Sequence, residues 1–137
     1  MNDCIFCNII AGEMRSFKVY EDEHTIAFLD IHPNNIGHTL VISKDHFENI
    51  YGIPDEALCR VMIVVKKLAI AIKNGVDADG IHIAMNNESG AGQEVPHAHI
   101  HIIPRFHEDG FTHWPQKNYK EGEAEIIVKK ISNELNT

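Results

Sequence analysis

Residues 97–105 read "HAHIHIIPR", with a histidine at every second position and Ala98, Ile100 and Ile102 between or after them. A β-strand sends successive side chains to opposite faces. As a strand, this stretch puts His97, His99 and His101 on one face and Ala98, Ile100 and Ile102 on the other. At about 3.3 Å per residue, same-face neighbours stand roughly 6.6 Å apart and the outer pair roughly 13 Å. Zinc holds its nitrogen ligands at about 2.0–2.1 Å. Two neighbouring imidazoles can therefore share one ion, but three on a straight strand cannot. The row must divide its labour. The plain alternative, half-buried polar groups on a sheet, accounts poorly for three histidines at period two followed by Pro104-Arg105.

The preceding stretch, "NNESGAGQEVP" at 86–96, joins two expected strands and is rich in glycine, asparagine and serine. It is an ordinary hairpin loop or, alternatively, an anion nest of inward-turned N–H groups. The nest reading sets phosphate donors beside imidazole nucleophiles.

The rest of the chain supplies a frame for that hairpin. "CIFCNIIAGE" predicts a short helical turn ending near Gly12, and "SFKVYEDE" and "HTIAFLD" predict two strands around an acidic turn. "HPNNIG" is turn chemistry, "HTLVIS" a third strand, "GIHIAMN" (80–86) a fourth, and "HAHIHII" a fifth. Residues 54–74 are the clearest helix, with Pro54 at its start and Gly75 at its stop. Leu58, Val61, Met62, Val65, Leu68, Ala69 and Ile72 recur there at helical spacing. Ile63 and Val64 widen the apolar face enough for cover on two sides, one of them a partner subunit. "NYKEGEAEIIVKKISNEL" predicts an amphipathic C-terminal helix. One long helix between groups of strands makes the fold class α+β with a mainly antiparallel sheet. A length of 137 residues suits one domain over 1–137.

A net charge of −8 argues against broad nucleic-acid binding, which needs a basic surface. It leaves room for a small phosphate ligand held by local donors. No apolar run reaches a membrane-spanning length and no signal peptide is visible, so the expected partners include no membrane and the expected location is the cytoplasm. Three cysteines, an odd count, fit no disulfide framework. Cys59 reads as a small apolar helix residue. "CIFC" fits a zinc half-site or a redox pair, and the spacing alone does not choose.

The row "HAHIHII" fits the His-φ-His-φ-His-φ-φ pattern of the histidine triad (HIT) nucleotide-binding proteins. "AGQEVPHAHIHIIPR" resembles the bacterial members closely, and "CIFCNIIAGE", "KVYEDE" and "AFLDIHPNNIGHTLVISKDH" extend the resemblance over nearly the whole chain. The resemblance implies a homodimer with a five-stranded antiparallel sheet in each subunit. It implies hydrolysis or transfer of nucleoside monophosphates, from phosphoramidates or dinucleoside polyphosphates, with adenosine favoured. It makes His99 the nucleophile, His101 a phosphate-polarising group and His38 the residue that completes the site. Asp30 matches the ribose-binding acid, Phe28 and Ile31 the base pocket, and Asn86, Gly92, Gln93 and Val95 the phosphate loop. Glu94 departs from the family pattern, where related members carry serine.

Neutral imidazole is a competent nucleophile near pH 7. A nucleotidyl-histidine intermediate turns one hard displacement into two easier ones. The resemblance also implies structural zinc on Cys4, Cys7, His46 and His97, which frees His99 and His101 for phosphate. His24 and His82 read as surface or core-edge groups, and His32 as a possible lining of the nucleotide pocket. Trp114 reads as a partner contact or a cover for the site. Two other functions compete: a metalloenzyme built on a His-x-His pair, and a non-catalytic nucleotide-binding adaptor.

Overall fold

The computed structural model describes residues 3–135. Three helices and five strands follow in the order α1 (Ile5–Ile10), β1 (Lys18–Glu21), β2 (Thr25–Leu29), β3 (Thr39–Ser43), α2 (Asp55–Gly75), β4 (Gly80–Ala84), β5 (His99–Arg105) and α3 (Glu123–Leu135). The strands form one antiparallel sheet in the order β1-β2-β3-β5-β4. β5 is thus paired on both edges, to β3 on one side and β4 on the other.

The register separates the sheet's two faces. Ile100 stands opposite Val41 and Ile102 opposite Thr39, while His99 stands opposite Ile42 and His101 opposite Leu40. The first face packs on α2 through Ala27, Val41, Val61, Val65, Leu68, Ile100 and Ile102. The second packs on α1 through Phe6, Ile26, Phe28, Leu40 and Ile42, with Cys4 at its margin. One face is therefore a sealed apolar layer. The other, covered by a six-residue helix and the loop before β5, is left open where His99 and His101 line a cavity.

Several boundaries differ from the sequence expectation. β5 starts at His99, not His97. The His97 amide bonds the Val95 carbonyl, which bends the chain just before the strand. β4 ends at Ala84. The C-terminal helix begins at Glu123 because Gly122 adopts φ +78°, a left-handed conformation that a helix interior excludes. Met62 is exposed and so stays out of the core that the periodicity assigned to it, and Cys59, read as a small apolar helix residue, lies on α2 but is exposed. Val64 is buried while Ile63 points outward. Among the described residues, no helix is long and apolar enough to cross a membrane.

Candidate functional site

On the α1 side of the sheet lies a cavity of about 320 Å³. Phe28, Asp30, Ile31, Gly92, Val95, His99 and His101 line it, seven of the residues singled out from the sequence. His32 lines it as well. Its walls follow from the fold. β2 delivers Phe28, and the β2–β3 turn delivers Asp30, Ile31 and His32. β5 delivers the two histidines, and the loop before β5 closes one side.

His99 has a defined tautomer. Its Nδ1 lies 2.7 Å from the His97 carbonyl oxygen. A carbonyl can only accept, so Nδ1 carries the proton and Nε2 keeps a bare lone pair. Burial pushes the His99 pKa down; the His97 carbonyl and the carboxylates of Asp30 and Glu94 oppose that shift. Phe6 sets its ring edge-on to His99, with centroids 5.2 Å apart. The arrangement produces a neutral, oriented imidazole.

His101 and His38 form a second unit. His38 Nε2 and His101 Nδ1 are 2.9 Å apart. Asp30 Oδ2 is 3.7 Å from His38 Nε2, close enough to supply charge but too far for a hydrogen bond. His38 is 2% exposed and does not line the cavity, so it can act only through His101. Burial, with His99 and His38 close by, pushes the His101 pKa down to about 4. Burial also lowers that of His38.

The glycine-rich loop differs from the expected nest. Residues Ser89–Ala91 form a 3-10 turn. The amides of Ala91, Gly92 and Gln93 donate to the carbonyls of Glu88 and Ser89, so those three N–H groups are engaged inside the loop. Gly92 is nevertheless required, because its φ of +90° suits glycine. The Gln93 side chain is also engaged: it donates to the carbonyls of Glu48 and Val95 and accepts from the Glu88 amide. Asn86 is half-buried and its amide group sits against Gly92, outside the cavity lining. Gln93 and Asn86 therefore shape the loop from behind.

The cysteine pair joins His46 and His97. Cys4 Sγ to His97 Nδ1 is 3.5 Å, Cys7 Sγ to His46 Nδ1 is 3.3 Å, Cys7 Sγ to His97 Nδ1 is 3.7 Å, and the two Nδ1 atoms are 3.1 Å apart. A tetrahedron with zinc–sulfur bonds near 2.3 Å and zinc–nitrogen bonds near 2.0 Å has edges of roughly 3.3–3.8 Å. The three sulfur–nitrogen spacings match such edges, and the 3.1 Å between the two nitrogens is slightly shorter. His97 Nε2 donates to the Ser43 carbonyl at 2.8 Å, so its bare Nδ1 faces the thiols. A carbonyl orienting the far nitrogen is the usual support for a metal-ligating histidine. The four residues thus fit a tetrahedral cation.

Sequence reasoning missed several contributors. Phe6 touches Phe28, His97 and His99 at once. Its only signal was an aromatic residue inside "CIFC". Ile9 and Arg15 also line the cavity, and their sequence context gave no sign of it. Trp114 is 87% exposed and borders a separate depression with His82, Arg105 and His113, so it does not cover the His99 cavity of its own chain.

Comparison with known proteins places this geometry in a family. The HIT domain model matches residues 11–108. An uncharacterized HIT-like protein from Methanocaldococcus jannaschii is 52% identical over 107 residues, covering 78% of this chain and 82% of that one. Adenosine 5'-monophosphoramidase HNT1 from Saccharomyces cerevisiae is 43% identical over 114 residues, covering 82% and 70%. Among solved structures, a HIT family member from Bacillus subtilis matches with a TM-score of 0.89 and 44% identity, covering 96% of each chain. A Zn-bound histidine triad family protein from Mycobacterium smegmatis matches with a TM-score of 0.77 and 32% identity, covering 98% of each. With the histidine row, the sheet register and these matches in agreement, the chain belongs to the HIT domain family.

Proposed function

We propose that this protein cleaves nucleoside phosphoramidates or dinucleoside polyphosphates at the α-phosphate through a nucleotidyl group carried on His99. The observation that carries the reading is the His99 tautomer: a proton fixed on Nδ1 by the His97 carbonyl, and a bare Nε2 on a residue lining the cavity. In the first step Nε2 forms a bond to the α-phosphorus. The leaving group departs with the electron pair of the broken P–N or P–O bond, an amine taking up a proton from solvent as it leaves. The imidazole then bears positive charge, which the His97 carbonyl stabilises at Nδ1–H. In the second step water displaces the histidine and releases the nucleoside monophosphate. His101, with His38 behind it, stabilises charge on the phosphate oxygens, usually the largest contribution in such reactions.

Phe28 and Ile31 give the base an apolar slot, and Asp30 stands where ribose hydroxyls need an acceptor. Gly92 and Val95 bound the phosphate side, and Asn86 and Gln93 hold that loop in shape. The likeness to the yeast phosphoramidase supports adenosine phosphoramidates within this class. Rapid-quench trapping with radiolabelled nucleotide tests the reading. Label is expected on wild-type protein and absent from His99→Ala. A fully active His99→Ala protein overturns it.

The same reading places zinc on Cys4, Cys7, His46 and His97. Bound there, the metal ties the N-terminal segment to the residue preceding β5. The tetrahedral edges support it, as does the Zn-bound relative. About one equivalent of zinc per chain is expected in protein purified without chelator, and less than a tenth refutes it. A homodimer completes the proposal. α2 leaves Met62, Ile63 and Ile70 exposed on its outer side, an apolar stripe suited to a second copy. Sedimentation equilibrium checks this, and a monomer at micromolar concentration contradicts it.

A further inference from the structure

The β2–β3 turn decides which way protons point in the His38–His101 pair. The backbone N–H of Asn34 lies 3.1 Å from His38 Nδ1. An amide N–H can only donate, so Nδ1 of His38 is bare and the ring is neutral with its proton on Nε2. That Nε2–H, 2.9 Å from His101 Nδ1, must donate to it. His101 Nδ1 is then an acceptor, and the single proton of a neutral His101 ring stands on Nε2. That Nε2 is buried and has no hydrogen-bond partner among the described residues. A buried donor left unmet is unfavourable. A residue kept in that condition beside a nucleophile awaits an acceptor.

We infer that the Asn34 backbone amide is a positioning group that fixes the polarity of the chain Asn34 N–H → His38 → His101, so that His101 meets its ligand as a neutral donor through Nε2–H. The polarity also excludes an alternative. Asp30, His38 and His101 present three ligand atoms within 4.8 Å of one another, as a metal site would. A metal on His38 Nε2 needs that atom bare, which the amide at Nδ1 forbids for a neutral ring. The amide itself is held in place from several sides. Asn35 next to it donates from its side chain to the Pro104 carbonyl at 2.8 Å and to Asp109 at 3.1 Å. The His38 amide closes the turn onto the Asn35 carbonyl at 3.0 Å, and the Asp30 amide bonds the His38 carbonyl at 2.9 Å. Gly37 adopts φ +103° with Val76 so near that a Cβ would meet it at 3.1 Å.

This inference rests on the proposed function for its catalytic meaning but not for its test. Two-bond ¹H–¹⁵N correlation spectra of the zinc-loaded, ¹⁵N-labelled protein at neutral pH report each histidine tautomer directly. Expected are Nε2–H forms for both His38 and His101, and ¹⁵N–¹⁵N couplings across the Asn34–His38 and His38–His101 hydrogen bonds. An Nδ1–H form of either ring, a doubly protonated His101, or absence of the Asn34–His38 coupling in the wild type overturns the inference whatever any variant does. Asn34→Pro removes the N–H, whereas Asn34→Ala keeps it. Asn34→Pro is expected to scramble the His38 tautomer and lower kcat about tenfold or more, as for one displaced oriented donor, with KM little changed. Asn34→Ala is expected to change neither. Unchanged tautomers in a folded Asn34→Pro protein also overturn it. If the tautomers stand and shift as expected while no nucleotide substrate is turned over, the hydrolase reading fails and the relay stands.

Discussion

Two groups of imidazoles flank Phe6, and they use the ring in opposite senses. His97 donates from Nε2 to Ser43 and shows a bare Nδ1 to two thiols and His46. His99 donates from Nδ1 to the His97 carbonyl and keeps a bare Nε2 on a residue that lines the cavity. The residues are two apart, of one chemical type, and both buried. What separates their roles is which backbone carbonyl each ring meets. Once a carbonyl claims one nitrogen, the other is fixed as the reactive end. The first pattern suits a closed tetrahedral cation site and the second a nucleophile at a cavity wall. Role here is assigned by the backbone, not by residue identity.

The comparison breaks most sharply at His99. His99→Ala is expected to lower turnover about 10⁴-fold or more, in line with loss of a nucleophile. Its melting temperature should hold within a few degrees, as calorimetry would show. Changes in the cysteine group should do the reverse. At a thousandfold excess of free zinc over its Kd, a metal bound to this group would stabilise the fold by about 4 kcal/mol. Cys7→Ala should lose that increment, read as a melting temperature that no longer responds to zinc. Phe6→Ala should injure both groups together, because the ring is 6% exposed and touches His97, His99 and Phe28. A loss of about 3 kcal/mol is expected from urea unfolding.

Acidity sharpens the comparison further. The His101 pKa is depressed from 6.5 to about 4 in the folded protein. The unfolded chain then binds more protons between these values, so stability falls as pH drops from about 6.5 toward 4 and the contribution levels off below that. The slope from one such group is about 1 kcal/mol per pH unit. His101→Asn should flatten it in denaturant titrations at pH 7 and pH 5. The smallest effect belongs to Glu94, an exposed carboxylate at the cavity edge whose charge reaches His99. Glu94→Ser should raise kcat/KM for a dinucleoside polyphosphate relative to a neutral-leaving phosphoramidate by about two- to fivefold, the scale of an exposed charge. The gain should fade in high salt.

Much of this was legible in the chain itself. Short apolar runs in "TIAFL" and "TLVIS" and the alternation in "HIHII" marked strands, and the helical recurrence of Val61, Val65, Leu68 and Ile72 marked α2. The grouping of Cys4, Cys7, His46 and His97 and the cavity residues were expected from the likeness to the histidine triad family, and the structure brings both sets together. What did not follow had physical causes. His97 leaves the strand because its amide turns back to Val95, a bond that no side-chain pattern announces. The loop amides close on Glu88 and Ser89 because a 3-10 turn forms, and glycine content alone does not distinguish that turn from a nest. Cys59 and Met62 look apolar by spacing but fall on the outer side of α2. The Asn34 amide was invisible, since every residue but proline carries one.

His97 offers its ring to one neighbour and its carbonyl to the next. Every amino acid has a carbonyl; only a few have a ring that binds metal. A descendant that discarded its thiols along with this imidazole would thus keep the means of aiming the following histidine, provided the chain still bent in the same place. A cation site on the ring and the aim of the following imidazole are therefore separable at this position.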